Sequence, residues 1–194
     1  IGDQTKKIQQ LEQFLATYKA SNLQDDALYT LANAYIDNNS TVEAMKTYSK
    51  LVNSFPESPL VSKALLRQGL SYYNKNDNAE ALSKFKQIAK QFPATPEANQ
   101  AVATARLIYI DMGQVNDYAA WVKTLGFVQV SNADLDNATY QAAEKQYLDA
   151  NAKEAIKQFN NYINQFPKGL HAKEAHFYLA QLYYKDNLTE NATP

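Results

Sequence analysis

The chain has no cysteine among its 194 residues, which removes a disulfide framework, a thiolate metal site and a cysteine nucleophile at once. Histidine is scarce too. His171 and His176 stand five residues apart, which on a helix turns one ring about 140° from the other. A zinc-binding pair wants a spacing of three or four, so no metal site is expected; His176 is read as filling a bulky core position. Charge of one sign is also lacking: 19 basic and 20 acidic residues are scattered and leave a net charge of −1. A nucleic-acid or anionic-membrane surface needs a basic stripe, and none is present. No apolar run approaches the roughly 18 residues of a membrane-spanning helix. Neither a glycine-rich phosphate loop nor a nucleophile elbow around any serine occurs. Asp134, Asp136 and Glu144 hint at a calcium loop, but Ala138 and Thr139 stand where a further oxygen ligand and a glycine belong. These acids are read as helix-start residues facing the helix dipole. The opening IGDQTKK is neither an initiator methionine nor a signal peptide, so an excised or mature piece is expected.

Glycine (5 residues) and proline (6) are few and act as punctuation, whereas tyrosine is common at 14. The punctuation repeats. Phe55-Pro56 is followed 37 residues later by Phe92-Pro93, and Phe166-Pro167 follows at twice that spacing. Ala27, Ala64, Ala101, Ala138 and Ala175 keep the same step of 37, as do Ala44, Ala81, Ala155 and Ala192, with Tyr118 in the gap. One shared period in three series marks an internal repeat.

Within a unit, Leu28, Leu31, Ala32 and Tyr35 fall on one helical face. A polar turn follows, DNNS from Asp37 or NKNDN from Asn74, then a second helix with Ala44, Tyr48 and Leu51 inward. Phe-Pro ends it, because proline cannot continue a helix. Ser58 and Thr95 are expected as N-caps, with Pro59 and Pro96 at the first helical position.

Small residues at Ala32, Gly69, Ala143 and Ala180, aromatics at Tyr35, Tyr72, Tyr109 and Tyr183, the Ala44 series, and Tyr48, Phe85 and Phe159 before the closing proline resemble the tetratricopeptide repeat. The resemblance covers nearly the whole chain and implies an all-α, right-handed α-solenoid of about 10 helices. The expected partition is a second half-repeat at 1–22, repeats at 23–59, 60–96, 97–133 (degenerate) and 134–170, and a first half-repeat at 171–194. Cutting inside repeats at both ends suggests a segment of a longer solenoid. The Phe-Pro-x-Ser/Thr-Pro junctions are similar to those of periplasmic and outer-membrane-associated tetratricopeptide proteins of Gram-negative bacteria, most of all the long uncharacterised ones of the Bacteroides group. That likeness implies a cell-envelope setting.

The resemblance also implies that the first helices line a concave groove. Its candidate residues are Tyr29, Asn33, Lys63, Leu66, Leu70, Tyr73, Tyr140, Tyr147, Phe177, Gln181 and Tyr184. Rigid aromatic rings with a polar tip suit protein recognition. Asn33, Lys63 and Arg67 resemble a carboxylate clamp, although Tyr29 stands where that clamp has a cation. The expected function is a non-catalytic scaffold for a protein or peptide, without cofactor, nucleic acid or membrane insertion. The alternatives are an accessory domain of an envelope enzyme, such as a cell-wall hydrolase, and a structural spacer.

One repeat departs from the pattern. Gln129 stands where Phe-Pro is due, Arg106 replaces the small residue and Tyr118 replaces alanine. A helix ending near Leu125 at a left-handed Gly126 is expected, then an extended FVQV, then an N-cap at Asn132 or Asp134–Asp136. Trp121 and Phe127 should fill the loosened packing, and Arg106 should reach solvent, Asp111 or Asp117.

Overall fold

The computed structural model describes residues 2–190, and among these it contains ten α-helices and no strand. In chain order they are α1 (Gly2–Thr17), α2 (Gln24–Asp37), α3 (Thr41–Ser54), α4 (Val61–Tyr73), α5 (Asn78–Gln91), α6 (Pro96–Asp111), α7 (Val115–Val122), α8 (Asn132–Leu148), α9 (Ala152–Gln165) and α10 (Ala172–Glu190). Chain packing forms two compact units, Ile1–Val102 and Ala103–Pro194, which divide inside α6. Ala192 of the alanine series lies outside the described residues.

Each regular hairpin sets a small residue and a large one at matching positions. Ala32 and Tyr48 are buried in α2 and α3, Gly69 and Phe85 in α4 and α5, and Ala143 and Phe159 in α8 and α9. The fit at Gly69 is tight: a Cβ there would stand 2.5 Å from Cε1 of Phe85. Two helices cross closely only where one offers no bulk.

The turns obey the period as closely as the cores. Asn39, Asn76, Gly113 and Ala150 recur every 37 residues and all have left-handed backbone, with φ of 60°, 59°, 67° and 60°. In each turn the left-handed residue donates its N–H to a carbonyl three residues back, as Asn39 does to Ile36 at 3.0 Å. The next residue donates five back, as Ser40 does to Tyr35 at 2.8 Å. This paired closure satisfies carbonyls that the helix end would leave orphaned. Asparagine and glycine tolerate that conformation, while alanine's Cβ crowds the following carbonyl. Ala150→Gly should therefore raise the stability of the second unit by about 1 kcal/mol and its Tm by roughly 4 °C. Thermal denaturation checks it; an unchanged or lower Tm contradicts it. Gly113 shows the opposite constraint, since a Cβ there would also stand 2.6 Å from Nε2 of Gln158.

Junctions are held by an acid one helix pair earlier. Asp25 and Asp136 are three periods apart, each in the first turns of its helix. Oδ2 of Asp25 accepts from the Ser58 hydroxyl at 2.6 Å. Buried Asp136 accepts from the Tyr162 hydroxyl at 2.6 Å and from the Leu170 N–H at 2.8 Å. The Tyr162 hydroxyl in turn accepts from the His171 N–H at 2.9 Å. Gly169 has no room for a side chain beside this cluster, because a Cβ would stand 2.5 Å from the Tyr162 oxygen and 2.8 Å from Oδ2 of Asp136.

Two expected caps move. Ser58 is not the N-cap of α4, which starts at Val61; with its hydroxyl committed to Asp25, Ser58 accepts from the Leu60 N–H at 3.1 Å, and Pro59 lies in a separate turn. Thr95 does cap α6, accepting from the Ala98 N–H at 3.1 Å with Pro96 first in the helix. The cap of α8 is Ser131 rather than Asn132 or an aspartate. Ser131 and Asp134 form a reciprocal capping box, the serine oxygen 3.1 Å from Asp134 N–H and the carboxylate 2.9 Å from Ser131 N–H.

The degenerate repeat accommodates its misfits by shortening. Helix α7 has 8 residues against 14 in α3, α5 and α9. It ends at Val122, before Leu125, and Gly126 does not adopt the left-handed conformation. The Thr124 hydroxyl bonds the Trp121 carbonyl at 2.6 Å and the Leu125 N–H donates to Val122 at 3.0 Å, so the chain leaves the helix through a tightened turn. Val122 holds the position of Phe85 and Phe159, so the helix pair that carries Arg106 has lost the bulk opposite it. Half-buried Arg106 meets neither Asp111 nor Asp117 but donates to Oε1 of Gln141 on α8 at 3.3 Å. Tyr118, buried, lies 6.0 Å from Tyr109, and half-buried Trp121 packs 6.3 and 6.4 Å from the two rings. Phe127 is half-buried, and 128–131 form neither helix nor strand.

Candidate functional site

In the first unit, the candidates lie on α2 and α4. The half-buried Tyr29 ring packs 6.0 Å from Tyr48, and the Tyr48 hydroxyl donates to Oδ1 of Asn33 at 2.6 Å. That bond commits the acceptor end of Asn33 and fixes the direction of its amide. Burial raises the Tyr48 hydroxyl pKa above its ordinary value, with Tyr29 adding to the rise and the Arg67 guanidinium opposing it. Lys63 and Arg67 are exposed, Leu70 and Tyr73 half-buried, and Leu66 buried. Leu66 therefore serves the core rather than a binding face.

The second unit's candidates lie on α8 and α10. Tyr140 is only 6% exposed: its ring lies among Phe159, Tyr162 and His171, stacked on the imidazole at 4.2 Å. It is a core residue, which corrects its assignment to an open groove. Its hydroxyl donates to Oε1 of Glu144 at 3.1 Å. Burial raises the pKa of that hydroxyl, followed by Glu144, Tyr178 and Glu174. Half-buried Tyr147 donates to Oε1 of Gln181 at 3.0 Å and packs 4.6 Å from the Tyr178 ring. Phe177 and Tyr184 are 60% and 68% exposed. Glu174, Phe177, Gln181 and Tyr184 follow at spacings of three and four, so α10 carries them as one stripe.

Beside that stripe a cleft of about 530 Å³ opens between the end of α8, the α8–α9 turn and α10, lined by Tyr147, Leu148, Ala150, Ala152, Gln181, Leu182, Tyr184 and Lys185. Leu148, 74% exposed, was not among the sequence candidates. Its position is held by Asp111 one period earlier and Lys185 one later, so periodicity gave no apolar signal there. His171 Nε2 lies 2.7 Å from Oδ1 of Asn137, whereas His176 is exposed and fills no core position. Among the described residues no three His, Cys, Asp or Glu side chains gather as a metal would require. No helix there is long and apolar enough to cross a membrane.

Two tyrosines, half-buried Tyr35 and buried Tyr162, make a pH prediction. Burial, with a bond to Glu12, pushes the Tyr35 hydroxyl up to about 12. Burial and the bond to Asp136 push Tyr162 up to about 12 as well. An unfolded tyrosine titrates near 10. Folded values above the unfolded one give stability that is complete below about pH 10 and lost as pH rises toward 12. Alkaline titration should show tyrosinate absorbance and loss of helical circular dichroism rising together in that window; full ionisation with helicity intact would contradict it.

Comparison with known proteins agrees with the architecture. The tetratricopeptide repeat family model matches residues 26–58 and 63–95. No curated protein sequence matches the chain. Among solved structures, a tetratricopeptide repeat protein from Parabacteroides merdae is similar, with TM-score 0.54 and 17% identity over 94% of this chain and 67% of that one. The repeat is a protein-interaction scaffold and typically a non-catalytic one. Residues 26–58 and 63–95 thus match the tetratricopeptide repeat, and the fold of the chain is the all-α fold of a solved tetratricopeptide repeat protein.

Proposed function

We propose that the chain is a non-catalytic scaffold of the bacterial cell envelope that binds a protein or an extended peptide on the faces of its first helices. The observation that carries this reading is the stripe on α10, where Phe177 and Tyr184 stand in solvent beside the Tyr147–Gln181 hydrogen bond and the α8–α10 cleft. Large exposed rings on a rigid helix present contact area at little entropic cost. Tyr29, Asn33, Lys63, Leu70 and Tyr73 supply the corresponding face of the first unit. The envelope setting is supported by the junction style alone. Capture from crosslinked intact cells tests the function. Phe177→Ala with Tyr184→Ala should cut recovery of the wild-type partner about tenfold, the equivalent of about 1.4 kcal/mol, with helicity unchanged. Undiminished recovery by that variant and by Tyr29→Ala with Tyr73→Ala would overturn the reading.

A further inference from the structure

The second unit also indicates what kind of segment it takes, an inference that rests on the binding face just described. Beside the aromatic stripe stand two carboxylates, Glu144 on α8 and Glu174 on α10. Both stand at Tyr140, whose hydroxyl bonds Glu144 and whose ring stacks at 4.2 Å on His171, one helical turn before Glu174. The hydroxyl donates to Glu144 at 3.1 Å, which holds that carboxylate in place without neutralising it. Among the described residues, no ion pair joins either glutamate to a cation, and the nearby Lys145 pairs with Asp111 and Asp149 instead. Lys145, next in sequence to Glu144, is thus turned to other acids. Lys173 precedes Glu174 but points about 100° around the helix from it. The other titratable groups at this ring are His171, stacked on Tyr140 and bonded to Asn137 just before α10, Tyr162 on α9 and Tyr178 on α10.

We infer that the α8–α10 face docks an extended segment with a lysine or arginine side chain flanked by apolar ones: the cation sits between Glu144 and Glu174, and the apolar neighbours cover Phe177, Tyr184 and the cleft. The chemistry fits in both parts. A cation beside an exposed aromatic face gains from the ring quadrupole as well as from the carboxylates. Apolar side chains supply the burial that a surface ion pair alone does not.

The test uses the purified chain and fluorescent peptides of about eight residues, with a central Arg, Gln or Glu between leucine and phenylalanine. The Arg peptide should bind at least about tenfold more tightly than the Gln peptide, and the Glu peptide more weakly still. Glu144→Gln with Glu174→Gln, which keeps an acceptor for Tyr140, should erase the Arg preference while leaving affinity for the Gln peptide unchanged. Raising salt from roughly 50 to roughly 500 mM should weaken only the Arg peptide appreciably. Equal or tighter binding of the Glu peptide, or an Arg preference that survives the double Gln variant, overturns the inference. If no peptide binds yet the Phe177 and Tyr184 variants still lose the cellular partner, this inference fails while the scaffold reading stands.

Discussion

Asp136→Ala should destabilise the second unit by about 3 kcal/mol and lower its Tm by at least about 10 °C. The substitution leaves the Tyr162 hydroxyl, which is fully buried, and the Leu170 N–H without their acceptor, and the buried hydroxyl bears the larger cost. The effect is cooperative, because the same hydroxyl receives the His171 N–H and so ties the start of α10 to α8 and α9. Asp136→Ala combined with Tyr162→Phe should cost clearly less than the sum of the single changes, since the second removes a donor the first has already stranded. Asp25→Ala, which loses one bond to a serine hydroxyl, should cost only about 1 kcal/mol. Chemical denaturation of the four variants checks the ranking. Similar small losses for Asp136→Ala and Asp25→Ala would contradict it.

Gly69→Leu should cost the first unit about 3 kcal/mol or more, although leucine is by far the better helix former. Helix propensity favours the substitution by somewhat under 1 kcal/mol, and packing opposes it more strongly. Even a bare Cβ meets Phe85 at 2.5 Å, and Phe85 is wholly buried among side chains that leave its ring nowhere to go. Phe85→Ala should partly rescue Gly69→Leu, because it returns the volume the leucine takes. Absence of rescue would show that the two positions are not coupled. The degenerate repeat carries a comparable exchange, with Arg106 and Val122 where the neighbouring repeat has Gly69 and Phe85.

The period was the legible part of this chain because it is written in residue types with one physical use each. Phe-Pro stops a helix, and Asn39, Asn76 and Gly113 accept left-handed backbone. Ala150 shares that backbone without announcing it, since alanine is an ordinary helix residue, and only the register points to it. Cap residues were less legible where several candidates adjoin. SNAD offers three, and the choice of Ser131 depends on the return bond from Asp134, a geometric fact rather than a compositional one. Gly126 misled for a related reason: glycine permits the left-handed conformation but does not demand it, and α7 had already ended at Val122.

The candidate faces were legible by position and less so by exposure. Tyr140 and Tyr147 are seven residues apart on one side of α8, yet Tyr140 is packed inside by Phe159, Tyr162 and His171 while Tyr147 reaches Gln181. Helical periodicity assigns a side, whereas burial depends on what the neighbouring helices bring to it. The Asp136 cluster was hidden for the same cause, since its partners Tyr162 and Leu170 lie 26 and 34 residues away.

The central claim, that first-helix faces hold the partner, is tested most directly by position-specific photocrosslinking in intact cells. A photoreactive residue placed singly at Tyr29, Tyr73, Phe177 or Tyr184 should trap one and the same protein. At Lys90 or Lys157, exposed on second helices, it should trap none. Adducts that form equally well from Lys90 and Lys157, or from those two positions alone, would contradict the account.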